Sequence, residues 1–206
     1  MNYYSHPATR QDEWVLAKKA KGLYIEVGAF DGQHHSNTMA LEERGWHGLL
    51  IEANPEVIDA LIHNRGPHQV VHAAVAHKRT TAKFVIGGQY SGIERYMPDN
   101  WVAEHIRRGN RAMSVKTETL GDIYRTHFIS KFGEDIDYLS LDTEGGEDLI
   151  LKSFRGHLDK VGLISVEFRY DHPYLARLVD ILEPTHRLET LRGFDACFVN
   201  LKWGQP

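Results

Sequence analysis

Four carboxylates stand where apolar runs end: Glu26 next to last in LYIEV, Glu52 closing GLLIE, Asp142 following YLSL, and Glu167 closing GLISVE. Each alone reads plainly as a cap on the helix that follows, a cheap and common use of an acid. As a set they need more, because several unpartnered carboxylates converging on one protein edge are costly unless they meet ligands or cations. The first sits in EVGAFDG, residues 26–32, where Gly28 and Gly32 permit a tight turn and close backbone approach to a ligand. Phe30 stands where a dinucleotide fingerprint has its second glycine, and no G-x-x-x-x-G-K-[ST] phosphate loop occurs. Glu52 follows the turn by about 20 residues, the place from which a carboxylate accepts hydrogen bonds from ribose hydroxyls.

Short apolar runs at Leu23–Val27, Gly48–Glu52, Gln69–Ala74, Tyr138–Leu141 and Gly162–Glu167 must position these groups. Each is nearly continuous in apolar residues, as strands covered on both faces are. Helical segments separate them. SNTMALEERGW has Ser36 or Asn37 as its cap and Gly45 as its stop, and NPEVIDALIHNRG has Asn54 as cap, Pro55 at its first position and Gly66 as its stop. GGEDLILKSFRG and YLARLVDIL follow later. The alternation predicts an α/β doubly wound sheet, and HRLETLRGFDACFVNLKW predicts a closing hairpin turned at Gly193–Asp195. Residues 84–115 are too long for a plain connection and read as a lid or substrate loop with a short helix at Asn100–Arg107.

The 206 residues fit one domain, residues 1–206, opening with an N-terminal helical segment over 1–22. A formal charge of -4 gives no global case for a nucleic-acid partner, and no N-P-P-Y-like tetrad follows the fourth strand. Cys197 is the one cysteine, which fits a reducing compartment. No secretory leader and no membrane span are read in the sequence, so a cytoplasmic location is expected. The thirteen histidines invite a metal reading. The adjacent His34 and His35 point apart in an extended chain, and His68 and His72 lie far apart along a strand, so no zinc site is expected.

A glycine turn, a ribose carboxylate and no diphosphate cradle suit an adenosyl ligand without a diphosphate, a description that S-adenosylmethionine (SAM) meets. The blocks YIEVGAFDGQHHSNT, GLLIEANPEV, VHAAVA, SGI, TETLGDIY, IDYLSLDTEGGEDLILKSF and ISVEF resemble, in order, the FkbM family of class I methyltransferases. The resemblance implies a Rossmann-like, mostly parallel seven-stranded sheet with a reversed last strand and helices on both faces. It also implies SAM as methyl donor and O-methylation of a hydroxyl on a sugar, glycan or natural product. Carried over by position, Glu26, Gly28, Ala29 and Gly32 line the methionine end, with Asp31, Ser36 and Asn37 beside its amino and carboxylate groups. Glu52 holds the ribose next to Ala53 and Asn54, Ala74 flanks the adenine, and Asp142 lies near the sulfonium.

Methyl transfer is a direct displacement, so the protein chiefly aligns the partners and takes up the hydroxyl proton. The candidate bases are Asp142, Glu144, Glu167 and His172, with Asp142 and Glu167 as the central pair and His172 as an outside base. An alternative has Asp142 and Glu167 share a Mg²⁺ that acidifies the acceptor hydroxyl. Glu147 reads better as a first-turn helix carboxylate. Arg107, Arg108 and Arg111 are a solvated face or, more sharply, the recognition site of an anionic acceptor. Tyr90, Tyr96 and Trp101 suit stacking on an acceptor ring or packing of the long segment, and the histidine pair suits an acceptor contact. A homodimer is one open oligomeric state. The competing functions are a nicotinamide-dependent oxidoreductase, which the missing fingerprint disfavours, and a non-catalytic binding module, which predicts eroded strand ends.

Overall fold

The computed structural model describes residues 2–203. Eleven strands form two sheets: β1 (Leu23–Val27), β2 (His47–Glu52), β3 (Val70–His72), β4 (Ala74–Val75), β5 (Thr81–Val85), β6 (Gly92–Ile93), β7 (Ala112–Glu118), β8 (Ile136–Leu141), β9 (Val161–Glu167), β10 (His186–Arg192) and β11 (Asp195–Asn200). The central sheet has the order β10-β11-β9-β8-β1-β2-β3. Its strands β3, β2, β1, β8 and β9 run parallel, while β11 lies antiparallel to both neighbours, β9 and β10. The reversed last strand is therefore present, wedged between β9 and β10 rather than placed at the edge.

Alternation along the strands decides which layer each residue joins. Ile25 and Val27 of β1 pack with Leu49 and Ile51 of β2 against one set of helices: α5 (Leu120–Ile123), α6 (Ile129–Phe132), α7 (Glu147–Phe154) and α8 (His172–Leu182). Tyr24 and Leu50 face the other side, with Leu41, Leu61, Trp14 and Trp46. That layer contains α1 (Gln11–Leu16), α2 (Met39–Glu42) and α3 (Ile58–Arg65). Both faces are thus covered, which is why the strand runs read as continuously apolar.

The boundaries differ from the sequence reading in four places. Helix α2 starts only at Met39, because the Ser36 hydroxyl accepts from the Thr38 and Met39 amides and so spends residues 36–38 on a turn. Helix α3 starts at Ile58, after a turn in which Asn54 Oδ1 accepts from the Glu56 amide. Among the described residues of the N-terminal segment only Gln11–Leu16 is helical, and the chain before it reaches a bridge from Ser5 to His35. The expected strand Gln69–Ala74 splits: β3 stays in the central sheet, and β4 leaves it to pair with β7.

That departure builds a second sheet, in the order β4-β7-β5-β6, around Ala76, Ala82, Phe84, Ile86 and Ile93. Residues 84–115 are accordingly the end of β5, β6, a helix α4 (Asp99–Arg107) that matches the expected short helix at Asn100–Arg107, and the start of β7, so strands of a second sheet flank that helix. This segment packs on the turn after β8 through glycines. A Cβ on Gly145 would lie 2.2 Å from the Tyr96 carbonyl oxygen, and one on Gly146 would lie 2.8 Å from the Tyr96 ring.

Candidate active site

A cavity of about 960 Å³ opens at the carboxyl ends of β1, β2, β8 and β9, roofed on one side by the second sheet. Open α/β sheets bind ligands at this edge. Seven carboxylates from the strand ends and α7 line it, namely Glu26, Glu52, Asp142, Glu144, Glu147, Asp148 and Glu167. Their hydrogen bonds separate them into distinct roles.

Glu52 anchors the turn after β1. Its Oε2 accepts from the Phe30 amide at 2.8 Å, and its Oε1 from the Ala53 and Asn54 amides at 2.8 and 2.6 Å. Burial raises its pKa, and those three amides oppose the rise. Three bonds leave a carboxylate with capacity for a further donor, so it can still take a ribose hydroxyl. Glu26 is buried, and its carboxylate accepts from the Asn37 amide at 2.8 Å, the Thr38 hydroxyl at 2.5 Å and, more loosely, the Ser36 hydroxyl. It fixes the segment that carries Ser36 and Asn37 to the cavity. Glu147 Oε1 accepts from the Thr143 and Gly145 amides, both at 3.0 Å, and its Oε2 from the Tyr174 hydroxyl at 2.5 Å. This is the helix-start role that the sequence suggested for it.

Behind this wall lies a cation the sequence did not mark. Arg65, 4% exposed at the end of α3, donates to Glu42, the Gly32 carbonyl and the hydroxyls of Tyr24, Ser36 and Thr38. It ties α2, α3, β1 and residues 32–38 together.

The ends of β8 and β9 hold an ion cluster. Arg169 donates from Nε to Glu167 at 2.5 Å and from Nη2 to Glu144 at 2.6 Å, and its guanidinium lies 4.8 Å from the centre of the Trp101 ring in α4. Among the described residues the Asp142 carboxylate accepts no hydrogen bond and joins no ion pair. Burial, and then the charge of Glu147, push its pKa up to about 6. Burial and the Asp142 charge push Glu144 up to about 8, and the same two causes hold Glu167 well above the carboxylate range. Arg169 opposes all three shifts.

These shifts have a sign for stability. Folded Asp142 holds its proton up to about pH 6 and folded Glu144 up to about pH 8, well past the pH at which the unfolded chain releases them, so each contributes stability that is lost as pH rises through its own window. Glu144→Gln is therefore expected to raise the melting temperature more at pH 8 than at pH 5, in the ligand-free protein. An equal shift at both pH values would show that Glu144 does not hold the proton.

Of the expected site residues, the structure brings Glu26, Gly28, Ala29, Ser36, Asn37, Glu52, Ala53, Ala74, Asp142, Glu144 and Glu167 to the cavity wall. It leaves out four. Asp31 Oδ1 closes a turn by accepting from the Gln33 and His34 amides. Gly32 faces α3, where a Cβ would lie 2.5 Å from Leu61 and 2.6 Å from Arg65. The Asn54 side chain is spent on Glu56 and Ser91. His172 is exposed at the first position of α8, outside the cavity wall. Gly28 also has a second reason to be glycine: its φ is 86°, and a Cβ there would lie 1.7 Å from the Asp142 carbonyl oxygen, so two strand ends approach closely at the cavity wall.

The Mg²⁺ expectation fails a fit test. Glu167, the second ligand it requires, is already paired with Arg169, as is Glu144. A dication there would meet a guanidinium rather than a vacant set of oxygens. The arginine cluster is likewise engaged: Arg107 and Arg108 pair with Glu104, Arg111 pairs with Glu56, and none of the three lines the cavity. His34 and His35 do line it, their rings 3.9 Å apart, and His6 of the N-terminal segment joins them 4.8 Å from His35. His6 and the Tyr174 partner of Glu147 carried no local signal, since each is brought in from a distant part of the chain, whereas Arg169 stands only two residues after Glu167 and its fork to Glu144 appears only when the two strand ends meet.

A doubly wound sheet with one inserted antiparallel strand, and a ribose-placed carboxylate without a diphosphate cradle, defines the class I methyltransferase fold. The chain belongs to the FkbM methyltransferase family: the Methyltransferase FkbM domain matches residues 26–194. Membership implies SAM as the methyl donor, and it sets aside the nicotinamide reading. Among solved structures, methyltransferase FkbM from Methylobacillus flagellatus is similar at a TM-score of 0.54 and 12% identity, over 87% of this chain and 44% of that one. The METTL16 MTase domain is similar at 0.51 and 12%, over 93% of this chain and 66% of that one. At these identities the likeness is one of fold, and this chain spans less than half the length of the first. No curated protein matches it. Among the described residues no helix is long and apolar enough to cross a membrane.

The donor set fits SAM. With SAM in the cavity, Glu52 would take the ribose hydroxyls, Ala73, Ala74 and Val75 would wall the adenine, and Glu26 would stiffen the segment at the methionine end. Glu52→Ala would orphan three amides as well as remove the ribose contact, so Glu52→Gln is the cleaner change. Calorimetry should show SAM binding weakened by about 1–3 kcal/mol, as for loss of a charge-assisted bond. Unchanged affinity would remove Glu52 from the ribose.

Proposed function

We propose that this protein is a SAM-dependent O-methyltransferase that acts on a hydroxyl of a sugar, glycan or natural-product small molecule. The observation that carries the reading is Asp142. It is the one strand-end carboxylate at the cavity without an internal partner, while Glu26, Glu52, Glu144 and Glu167 are all engaged. SAM supplies a methyl group activated by a sulfonium. The chain's own part is to hold the donor with Glu52 and the 26–37 wall, to present the acceptor hydroxyl at Asp142, and to take its proton there.

The acceptor meets aromatic faces: Tyr90, Trp101 and Tyr170 line the same cavity, and Tyr90 and Tyr170 are exposed. Such faces suit a ring with apolar edges. If the acceptor carries an anionic group, the available cation is Arg95, which lines the cavity and has no carboxylate partner among the described residues, rather than the 107–111 cluster. The test is a mass-spectrometric screen of hydroxylated sugars and polyketide-like acceptors with SAM, run with Mg²⁺ and with chelator. Transfer to oxygen that persists in chelator is expected. Transfer only to nitrogen, or only with Mg²⁺, would overturn the reading. Retained SAM binding without transfer to any acceptor in the screen would favour the binding module.

A further inference from the structure

The turn after β9 is strained in a way that packing alone does not require. Arg169 and Tyr170 both adopt left-handed backbone, at φ 52° and 59°, where glycine is the easier residue. The turn is pinned from the hairpin between β10 and β11, because the Phe168 and Arg169 amides both donate to the Phe194 carbonyl, at 2.8 and 3.1 Å. This strain sends the Arg169 side chain back over the cavity. There the guanidinium forks between Glu167 and Glu144 and presents its face to Trp101 of α4. Glu144, its partner from the turn after β8, is also left-handed, at φ 61°. Two strained turns thus converge on one ion triad. Trp101 in turn meets Tyr90 edge-on at 5.5 Å, so the triad touches the subdomain that roofs the acceptor side.

Resting on the methyltransferase reading, we propose that Arg169 is the positioning residue of the acceptor side: it pairs Glu144 with Glu167 and anchors Trp101, so that α4 closes over the acceptor only while that triad is assembled. The arrangement accounts for why an arginine is kept at a position that glycine would occupy more easily. A fork geometry serves two carboxylates at once, and a planar cation stacks on indole, neither of which lysine does. It also accounts for why Asp142 is left without a partner, since the cluster's one guanidinium is committed to the two glutamates.

Hydrogen exchange of the full chain, read over α4 and over α7 and compared with SAM affinity by calorimetry, tests this. Arg169→Met and Trp101→Leu should each speed exchange in α4 by about tenfold or more, with α7 changed much less. Arg169→Lys should fail to restore the slow exchange. The decisive variant is Glu144→Ala with Glu167→Ala, which makes no change in α4 and removes both acceptors of the Arg169 fork whatever their protonation. It should loosen α4 as well, because the guanidinium loses what holds it beneath Trp101. The same double variant keeps the test open if Arg169→Met does not fold. Exchange in α4 that stays at the wild-type rate in the double variant would overturn the proposal, as would full rescue by Arg169→Lys. A fall in SAM affinity in parallel with the loosening would put Arg169 on the donor side and overturn it too. If wild-type protein does not bind SAM, the methyltransferase reading fails, while the exchange data still judge the strut.

Discussion

Asp142→Asn is expected to lower methyl transfer by about 10²- to 10⁴-fold, the range over which a positioned proton acceptor acts. SAM affinity should change little, because the amide keeps the shape of a side chain that makes no internal hydrogen bond. The wild-type rate should also rise with pH through about 6, since burial and the charge of Glu147 hold the Asp142 proton until then. A base works only in its deprotonated form, so the acid limb should lie near that value and should vanish in the variant. Steady-state kinetics with an acceptor from the screen, from pH 5 to 9, measure both. Equal losses of turnover and of SAM affinity would instead make Asp142 a donor-binding residue. An acid limb that survives in Asp142→Asn would move the proton acceptor elsewhere in the cluster, with Glu144 the next group to test.

Arg65→Met should destabilise the fold by about 3–5 kcal/mol, the effect of removing one partner from a buried ionic network. Its loss removes a donor from the Glu42 carboxylate, the Gly32 carbonyl and three hydroxyls at once, and leaves Glu42 without its cation. Its charge also lowers the pKa of buried Glu26, so its loss should favour a protonated Glu26 and loosen the 32–38 segment against β1. Denaturant unfolding gives the stability change and calorimetry the expected weakening of SAM binding. A loss below about 1 kcal/mol would mean that the network contributes only as an exposed pair does. Methionine is the substitution of choice because it keeps the apolar stem against Gly32 and removes only the charged fork.

The two predictions differ in how visible their residues were. Asp142 was legible because it follows an apolar run and precedes a glycine pair, and local chemistry alone marks such a strand end. Arg65 was not, since nothing in HNRG distinguishes a buried network cation from a solvated helix end. Its partners lie at positions 24, 32, 36, 38 and 42 and meet it only when α3 docks. The same division applies to glycines. The EVGAFDG turn could be read from its residues, but the second reason for Gly28 is the carbonyl of Asp142, more than a hundred residues away in the chain.

Alternation and punctuation settled what depends on neighbours in the chain: five parallel strands, the closing hairpin, the turn after β1, and the acids at the strand ends. Family motifs added the donor. Tertiary structure alone decided how those acids are used, because whether a buried carboxylate is a ligand, a clamp or a base depends on the donors that other elements bring to it. It made Glu52 and Glu26 anchors of their own turns, gave Glu144 and Glu167 to Arg169, and left Asp142 open. It also flanked the helix within residues 84–115 with strands of a second sheet, since β4 leaves the central sheet to pair with a strand 43 positions further on at Thr117. Pairing at that range is set by which edges meet in the folded chain, and no local pattern in the sequence encodes it.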